Sequence, residues 1–450
     1  MDQMEKLVSL CKRRGFVFPG SDIYGGLANS WDYGPLGAQM KMNIKSDWWK
    51  RAVEMRDDMV GLDGAILMNP KVWEASGHVA TFNDPLTECK HCHRRYRADE
   101  SPFAEHWNEK TGFESAEALQ CPSCGKSGVF ADVSRFNLMF QTHIGSTSES
   151  GSQVYLRPET AQAIFVNFKN ILNTSRKKLP FGIAQIGKAF RNEITPGNFI
   201  FRTLEFEQME VEYFVEPNDW EQQFEAWNEW MGAWAEHIGL DMSRLHRLEV
   251  PAEELAHYSK RTVDFEFDFP FGKKELWGLA YRQDFDLHNH TEHSGEKLEY
   301  SDPDDNKRKI VPHVIEPSMG VDRTLLSLLV SAFREEEVDG DVRTVMKFVP
   351  HMAPYHVAVL PLMKKDGLSE KAREIFEYLQ ASFRCEYDES GSVGKRYRRQ
   401  DEIGTPYCVT VDYDSLSDES VTVRDRDSMQ QERISLTNLL DHLRKCMPYV

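Results

Sequence analysis

Apolar and polar positions along the chain predict a mixed α and β fold whose character changes near residue 350. Two strand-like runs stand out. Phe181 to Phe190 is rich in Ile, Phe and Ala, and Arg202 to Val215 mixes aromatic and β-branched residues with Glu205, Glu207, Glu210 and Glu212. The turn-forming piece Thr195-Pro196-Gly197-Asn198 between them predicts an antiparallel hairpin with a long loop. Upstream, Met40 to Met55 reads as a helix and Ala65 to Asn69 as a strand stopped by Pro70. Ala161, Ile164, Phe165, Phe168, Ile171 and Leu172 fall at helical spacing, with Pro158 suited to the first turn and Glu159 to its positive end. Downstream, Trp220 to Ile238 predicts a polar surface helix, and Thr262 to Phe269 and Glu275 to Ala280 predict strands. The charged stretch from Glu292 to Arg308 reads as a loop. Val314 to Gly320 then reads as a strand turning through glycine into a helix with Leu325, Leu326, Leu328 and Leu329. Beyond residue 350, strands at Val357–Leu362, Cys408–Val411 and Val421–Val423 and a helix at Ser369–Phe383 predict a separate α/β domain.

The glycines between Gly15 and Gly37 imply turns and close backbone approaches. No Gly-Lys-Ser/Thr follows them, so they form no phosphate loop. The chain has 450 residues, room for two or three domains, and its 40% hydrophobic and 28% charged residues are ordinary for a globular protein. No apolar run approaches the roughly 20 residues of a membrane span. The first residues read as a short amphipathic helix rather than a secretory signal, so a cytoplasmic protein is expected. A net charge of −18 excludes a protein that coats nucleic acid indiscriminately, and no DNA partner is expected. Local basic runs remain at Arg94–Arg97, Arg176–Lys178 and Lys395–Arg399.

Two patterns carry chemistry. Cys89, Cys92, Cys121 and Cys124 form two Cys-x-x-Cys knuckles around residues 93–120, able to place four thiolates tetrahedrally about one zinc ion. Four thiolates leave no position for water, so such a zinc is structural. In the hairpin, Glu210 and Glu212 share a strand face with Phe206 and Gln208, while Arg191 and Arg202 stand where the strands meet the loop. A solvated hairpin with scattered salt bridges would carry the same residues. The functional alternative is a ligand with a polyphosphate at one end, held by the arginines, and an amine at the other, held by the carboxylates.

FRNEITPGNFIFRTLEFEQME resembles motif 2 of the class II aminoacyl-tRNA synthetases, and more narrowly the glycine-specific branch of homodimeric type. The long helix followed by a strand ending at Pro70 resembles motif 1, which builds the dimer interface. Arg-Pro-Glu-Thr-Ala-Gln at 157–162 is similar to the segment preceding motif 2, and Glu316-Pro317-Ser318-Met319-Gly320-Val321-Asp322-Arg323 resembles motif 3. The last hundred residues resemble the anticodon-binding domain shared with the threonine, proline and histidine enzymes. The resemblance implies an α+β fold: an antiparallel sheet flanked by helices over residues 1–349, a zinc-ribbon-like insertion at about 85–150, and an α/β anticodon-binding domain at 350–450.

It also implies ATP, Mg²⁺ and a structural Zn²⁺, with glycine and its tRNA as partners. Arg191 would bind the α-phosphate, Arg202 and Arg323 the γ-phosphate end, and Glu193 and Phe206 the adenine. Asn192, Phe201, Thr203, Leu204 and Glu205, with Leu276, Gly320, Val321 and Asp322, would complete the ATP site, and Glu275 would hold Mg²⁺. Glu159, Glu210, Glu316 and Ser318 would form a crowded acidic pocket for the glycine ammonium. Arg97, Phe206, Glu207, Gln208, Met209, Arg282, Pro317, Met319 and Gly320 would stand around that pocket, and Lys395–Arg399 would be a basic loop that reads the anticodon. Rival readings are a synthetase for threonine, proline or histidine, a non-catalytic accessory subunit, and a zinc-bearing RNA-binding scaffold. The acidic trio and the closed four-cysteine set argue against the first, and retention of all three arginines argues against the second.

Overall fold

The hairpin lies inside a seven-stranded sheet that organises the larger part of the molecule. The computed structural model describes residues 2–99, 102–108, 112–113, 119–145, 152–193, 197–302, 305, 308–338 and 340–450. The expected turn at Thr195-Pro196 and part of the charged 292–308 stretch lie outside the described residues. The strands of this sheet are β1 (Met59–Gly61), β2 (Phe181–Phe190), β3 (Glu205–Val215), β4 (Leu245–Glu249), β5 (Arg261–Phe269), β6 (Gly272–Gln283) and β7 (His313–Gly320), in the order β4-β5-β6-β7-β3-β2-β1. All neighbours are antiparallel except β1, which runs parallel to β2. The strand expected at 65–69 is absent. Leu67 makes one isolated bridge to Leu156, and the strand following the motif 1-like helix is β1.

Helix α1 spans Gln3–Arg14 and α2 spans Pro35–Trp49, continuing as one wider turn through Glu54. It therefore starts earlier than the apolar pattern indicated, because Pro35 fits a first helical turn. A Cβ on Gly37 would lie 1.9 Å from the Phe16 carbonyl oxygen, so the N-terminal glycines allow α2 to lie directly on the preceding chain. Helix α3 (Ala161–Ser175) begins after Pro158 and Glu159, which precede it rather than form its first turn. Helix α4 (Trp220–His237) corrects the expectation of a surface helix. Its Phe224, Trp227, Met231 and Trp234 are buried against the sheet, and only the opposite face is polar. Helix α5 (Phe285–Ser294) stands where a loop was expected to begin, and α6 (Val321–Ala332) follows β7 as predicted.

Helices α2, α4 and α6 cover one face of the sheet, where Met209, Val211, Tyr213 and Met319 enter the main core. Helices α3 and α5 pack on the other face around Phe165, Phe168, Phe181, Phe214 and Leu287. Strict alternation along β3 thus sends Glu207 and Met209 to one face and Gln208, Glu210 and Glu212 to the other.

The C-terminal part has its own five-stranded sheet. Its strands are β8 (Val357–Pro361), β9 (Cys385–Tyr387), β10 (Tyr407–Val411), β11 (Ser420–Asp425) and β12 (Gln431–Ser435), in the order β9-β8-β10-β11-β12. Its separate apolar core takes in helices α7 (Leu368–Gln380) and α9 (Leu436–Cys446). The run 395–399 is helical, part of α8 (Val393–Ile403), and not a loop. Arg396 is buried and donates to the carbonyls of Pro361 and Leu362, so it holds the fold and faces no partner. No described helix is long and apolar enough to cross a membrane.

Candidate active site

A cleft of about 390 Å³ opens on the α3/α5 side of the sheet. Arg191, Glu193, Phe201, Arg202, Thr203, Phe206, Glu275, Leu276, Gly320, Asp322 and Arg323 line one end, and Glu159, Gln208, Glu210, Glu316 and Ser318 line the other. The loop-side ends of β2 and β3 supply Arg191 and Arg202, and β6 and the start of α6 supply Glu275 and Arg323. Arg191 lies over the Phe206 ring at 5.2 Å and donates to the Pro158 carbonyl at 3.1 Å. Arg202 Nε is 3.9 Å from a Glu193 oxygen. Arg323 lies over Phe201 at 4.3 Å, and its Nη1 reaches the carbonyl of Glu275 at 2.9 Å and its carboxylate at 3.3 Å. Asp264 lines the same wall, and burial and the Glu275 charge push its pKa up to about 7. A carboxyl so placed beside another is suited to a hard divalent cation.

At the far end Glu210 accepts hydrogen bonds from Ser318 Oγ at 2.8 Å and from Thr160 Oγ1. Burial and the neighbouring Glu159 charge raise its pKa, against those two donors. Burial works in the same direction on Glu159, but His78 at 3.3 Å, Arg282 and Gln162 outweigh it and hold its carboxyl below the usual range. Arg282 is buried, donating to Glu316 at 2.6 Å and to both Asp286 oxygens at 2.8 and 2.9 Å, with Tyr258 stacked 3.9 Å away. A β-bulge between Tyr281 and Gln283, where β6 meets β7, places this arginine. Burial and acidic neighbours push Glu316 up to about 8 against the pull of Arg282. Glu212, wholly buried, is raised well above the usual carboxyl range by burial and the Glu316 charge.

Several expected residues lie elsewhere. Glu207 is on the opposite face, paired with Lys41 at 2.9 Å and Lys45 at 2.7 Å on α2, and Met209, Met319 and Val321 are core residues. These positions sit inside motif-like stretches, but strand alternation and the first turn of α6 turn them from the cleft. Asp322 touches the cleft wall while bonding Lys41 at 2.7 Å and accepting the Glu207 N–H at 2.7 Å. Glu205 pairs with Lys188, and Leu204 and Asn192 contribute backbone bonds, the Arg191 N–H to the Leu204 carbonyl and the Asn192 N–H to the Leu138 carbonyl. Pro317 lies within β7 opposite Leu279. Arg97 is held by Asp84 at 3.0 Å and Asp99 at 2.7 Å, outside the cleft lining. Sequence reasoning missed Thr160, His78, Asp264, Asp286 and Tyr258. Only Thr160 stood within a quoted motif, and the others reach the site through tertiary packing.

The four knuckle cysteines converge as expected. Sγ of Cys89 and Cys124 are 3.8 Å apart, those of Cys92 and Cys121 3.7 Å, and all four lie within 4.8 Å of one another. A tetrahedron of Zn–S bonds of about 2.3 Å has edges of about 3.8 Å, so the cysteines fit that ion.

Residues 140–332 match the family described as tRNA synthetase class II core domain (G, H, P, S and T), and residues 356–446 match Anticodon binding domain. A glycine–tRNA ligase of Acetivibrio thermocellus is 55% identical, over 98% of this chain and 97% of that protein. One of Alkaliphilus oremlandii is 54% identical over 99% of each. A crystal structure of prolyl-tRNA synthetase from Cryptosporidium parvum with L-proline and AMP shares the fold, with a TM-score of 0.66 at 13% identity, covering 100% of this chain and 76% of that one. The chain belongs to the glycine–tRNA ligases, a family of class II aminoacyl-tRNA synthetases.

Proposed function

We propose that this cleft joins glycine to its tRNA in two steps, through a glycyl-adenylate. The observation that carries the reading is one cleft with three arginines at one end and buried carboxyls at the other. The glycine carboxylate is ionised at neutral pH, so its attack on the α-phosphorus of ATP needs no general base. Alignment and charge stabilisation remain for the protein to supply. Arg191 would meet the charge developing on the α-phosphate, with Arg202 and Arg323 on the γ-phosphate end and Phe206 and Glu193 on the adenine. The Arg323–Glu275 pair would open as ATP takes the guanidinium, and the freed Glu275, with Asp264 beside it, would hold Mg²⁺, which when bound would offset phosphate charge. Glu159, Glu210 and Glu316 would hold the ammonium, with Ser318 and Thr160 fixing Glu210. A small acidic pocket excludes larger amino acids by sterics. The terminal adenosine hydroxyl of the tRNA would then attack the adenylate carbonyl.

Cys89, Cys92, Cys121 and Cys124 would hold a zinc ion that only braces the insertion. The division of the chain into residues 1–349 and 350–450 is supported by the apolar core that the C-terminal sheet forms for itself, while Met352, Ala353 and Ile403 join the larger core. The tRNA would meet the C-terminal part, where Lys395, Arg398 and Arg399 of α8 form a cationic recess with Arg14 of α1. A homodimer in the cytoplasm completes the reading, supported by resemblance to motif 1 and by the exposed Met42 of α2 and Met55 just beyond it. Charging of a total tRNA pool with labelled glycine tests the whole sequence of steps. Glycine should appear on tRNA only with ATP and Mg²⁺ present, and no charging under those conditions would refute the reading.

A further inference from the structure

Glu212 belongs to no step of the mechanism above, yet it lies directly beneath the acidic pocket. Its side chain is wholly buried, no nitrogen or hydroxyl donor among the described residues reaches either carboxyl oxygen, and the polar group it meets is the Glu316 carboxyl. It offers an oxygen that lies, with one from Glu210 on the same strand and one from Glu316 on β7, in a group within 4.8 Å of one another. Arg282 of β6 is the fixed cation beside it, and the three hydrogen bonds it makes go to Glu316 and to Asp286 of α5 rather than to Glu212. The carboxyls of Glu210, Glu212, Asp286 and Glu316 are thus buried around the Arg282 guanidinium, with the buried Arg157 within electrostatic reach of Glu210 and with Glu159, paired to His78, just before α3. A substrate ammonium adds a third positive charge to Arg282 and Arg157 and still leaves the five carboxyls in excess. Buried like charges without cations are resolved by keeping a proton, and the carboxyl with no donor is where it belongs.

We propose that Glu212 is a positioning residue of the amino-acid pocket, a neutral acid whose O–H donates to the Glu316 carboxylate. That bond and Arg282 approach Glu316 together, fixing its orientation while Glu210 and Glu159 face the ammonium. The inference rests on the glycine reading of the pocket, and the test separates the two. Burial raises the proton affinity of Glu212, consistent with this role.

The test compares Glu212→Gln, which keeps the shape and a donor without charge, with Glu212→Leu, which keeps neither donor nor charge. In glycine-dependent ATP–pyrophosphate exchange, Glu212→Gln should hold the KM for glycine within about threefold of the parent. Glu212→Leu should raise it about 10- to 100-fold, the loss of a hydrogen bond to a charged group, with the KM for ATP unchanged in both. Infrared spectra of the parent at neutral pH should show a protonated-carboxyl C=O band that Glu212→Gln removes. If Glu212→Gln raises the KM as much as Glu212→Leu, Glu212 is an ionised counter-charge and the proposal is wrong. It is equally wrong if both variants match the parent, or if the parent lacks the band. Should Glu212→Leu not fold, the glutamine variant and the infrared band decide alone. A parent that exchanges pyrophosphate with other amino acids but not with glycine would overturn the pocket reading, while the band still reports on Glu212.

Discussion

Replacing Arg282 by glutamine tests the electrostatic reading of the pocket floor through stability. The guanidinium makes three bonds to Asp286 and Glu316 between 2.6 and 2.9 Å, and all three residues are almost wholly buried. Removing one partner of such a buried network costs about 3–5 kcal/mol. The glutamine keeps an amide donor worth about 1 kcal/mol net, so a loss of about 2–4 kcal/mol is expected. The penalty should also depend on pH. Without the guanidinium, Asp286 and Glu316 lose their bonded cation, and the folded variant should hold about one proton more near neutrality than the folded parent, whose carboxyl cluster already keeps one. A carboxyl whose proton affinity is raised by folding contributes its stability below the unfolded carboxylate pKa and loses it as pH rises. Each extra proton gives a slope of about 1.4 kcal/mol per pH unit. The variant should therefore lose about 2–3 kcal/mol more at about pH 8 than at about pH 6. Urea unfolding followed by fluorescence reads this, because Trp227, Trp234 and Trp277 are buried in the core of the same sheet. A penalty below about 1 kcal/mol, or one equal at both pH values, would refute the reasoning.

Cys121→Ser should abolish retention of about one zinc per chain, measured by atomic absorption after gel filtration, while exchange with glycine in the catalytic cleft persists at a reduced level. Loss of zinc with no change in protease sensitivity of residues 85–145 would argue against a bracing role. Phe206→Ala should raise the KM for ATP about fivefold through lost stacking and leave that for glycine unchanged, read by exchange kinetics with each substrate varied in turn.

The hairpin, the β7–α6 unit and the four cysteines were legible in the sequence because each is a local pattern. Alternation fixes the faces of β3, a glycine marks the turn into α6, and ligand spacing marks a knuckle. Alternation also shows where a motif misleads. Glu207 lies within the motif-like run but on the far face, paired with Lys41, and only strand register distinguishes it from Glu210. The α4 tryptophans looked like surface residues because polar neighbours separate them, yet helical spacing brings Trp227 and Trp234 to one buried face. The role of Arg282 was least legible, since it depends on a bulge at the end of β6 and on Asp286 in the first turn of the following α5. His78 and Asp264 reach the site through packing that no local pattern reports.

The central claim is that one cleft activates glycine by aligning it with ATP under three arginines. ATP–pyrophosphate exchange with one amino acid supplied at a time tests it most directly, in the parent and in Arg191→Ala. The account predicts exchange with glycine alone, falling at least about 100-fold in Arg191→Ala through loss of charge stabilisation at the α-phosphate. Exchange with threonine, proline or histidine in place of glycine, or full activity in Arg191→Ala, would contradict it.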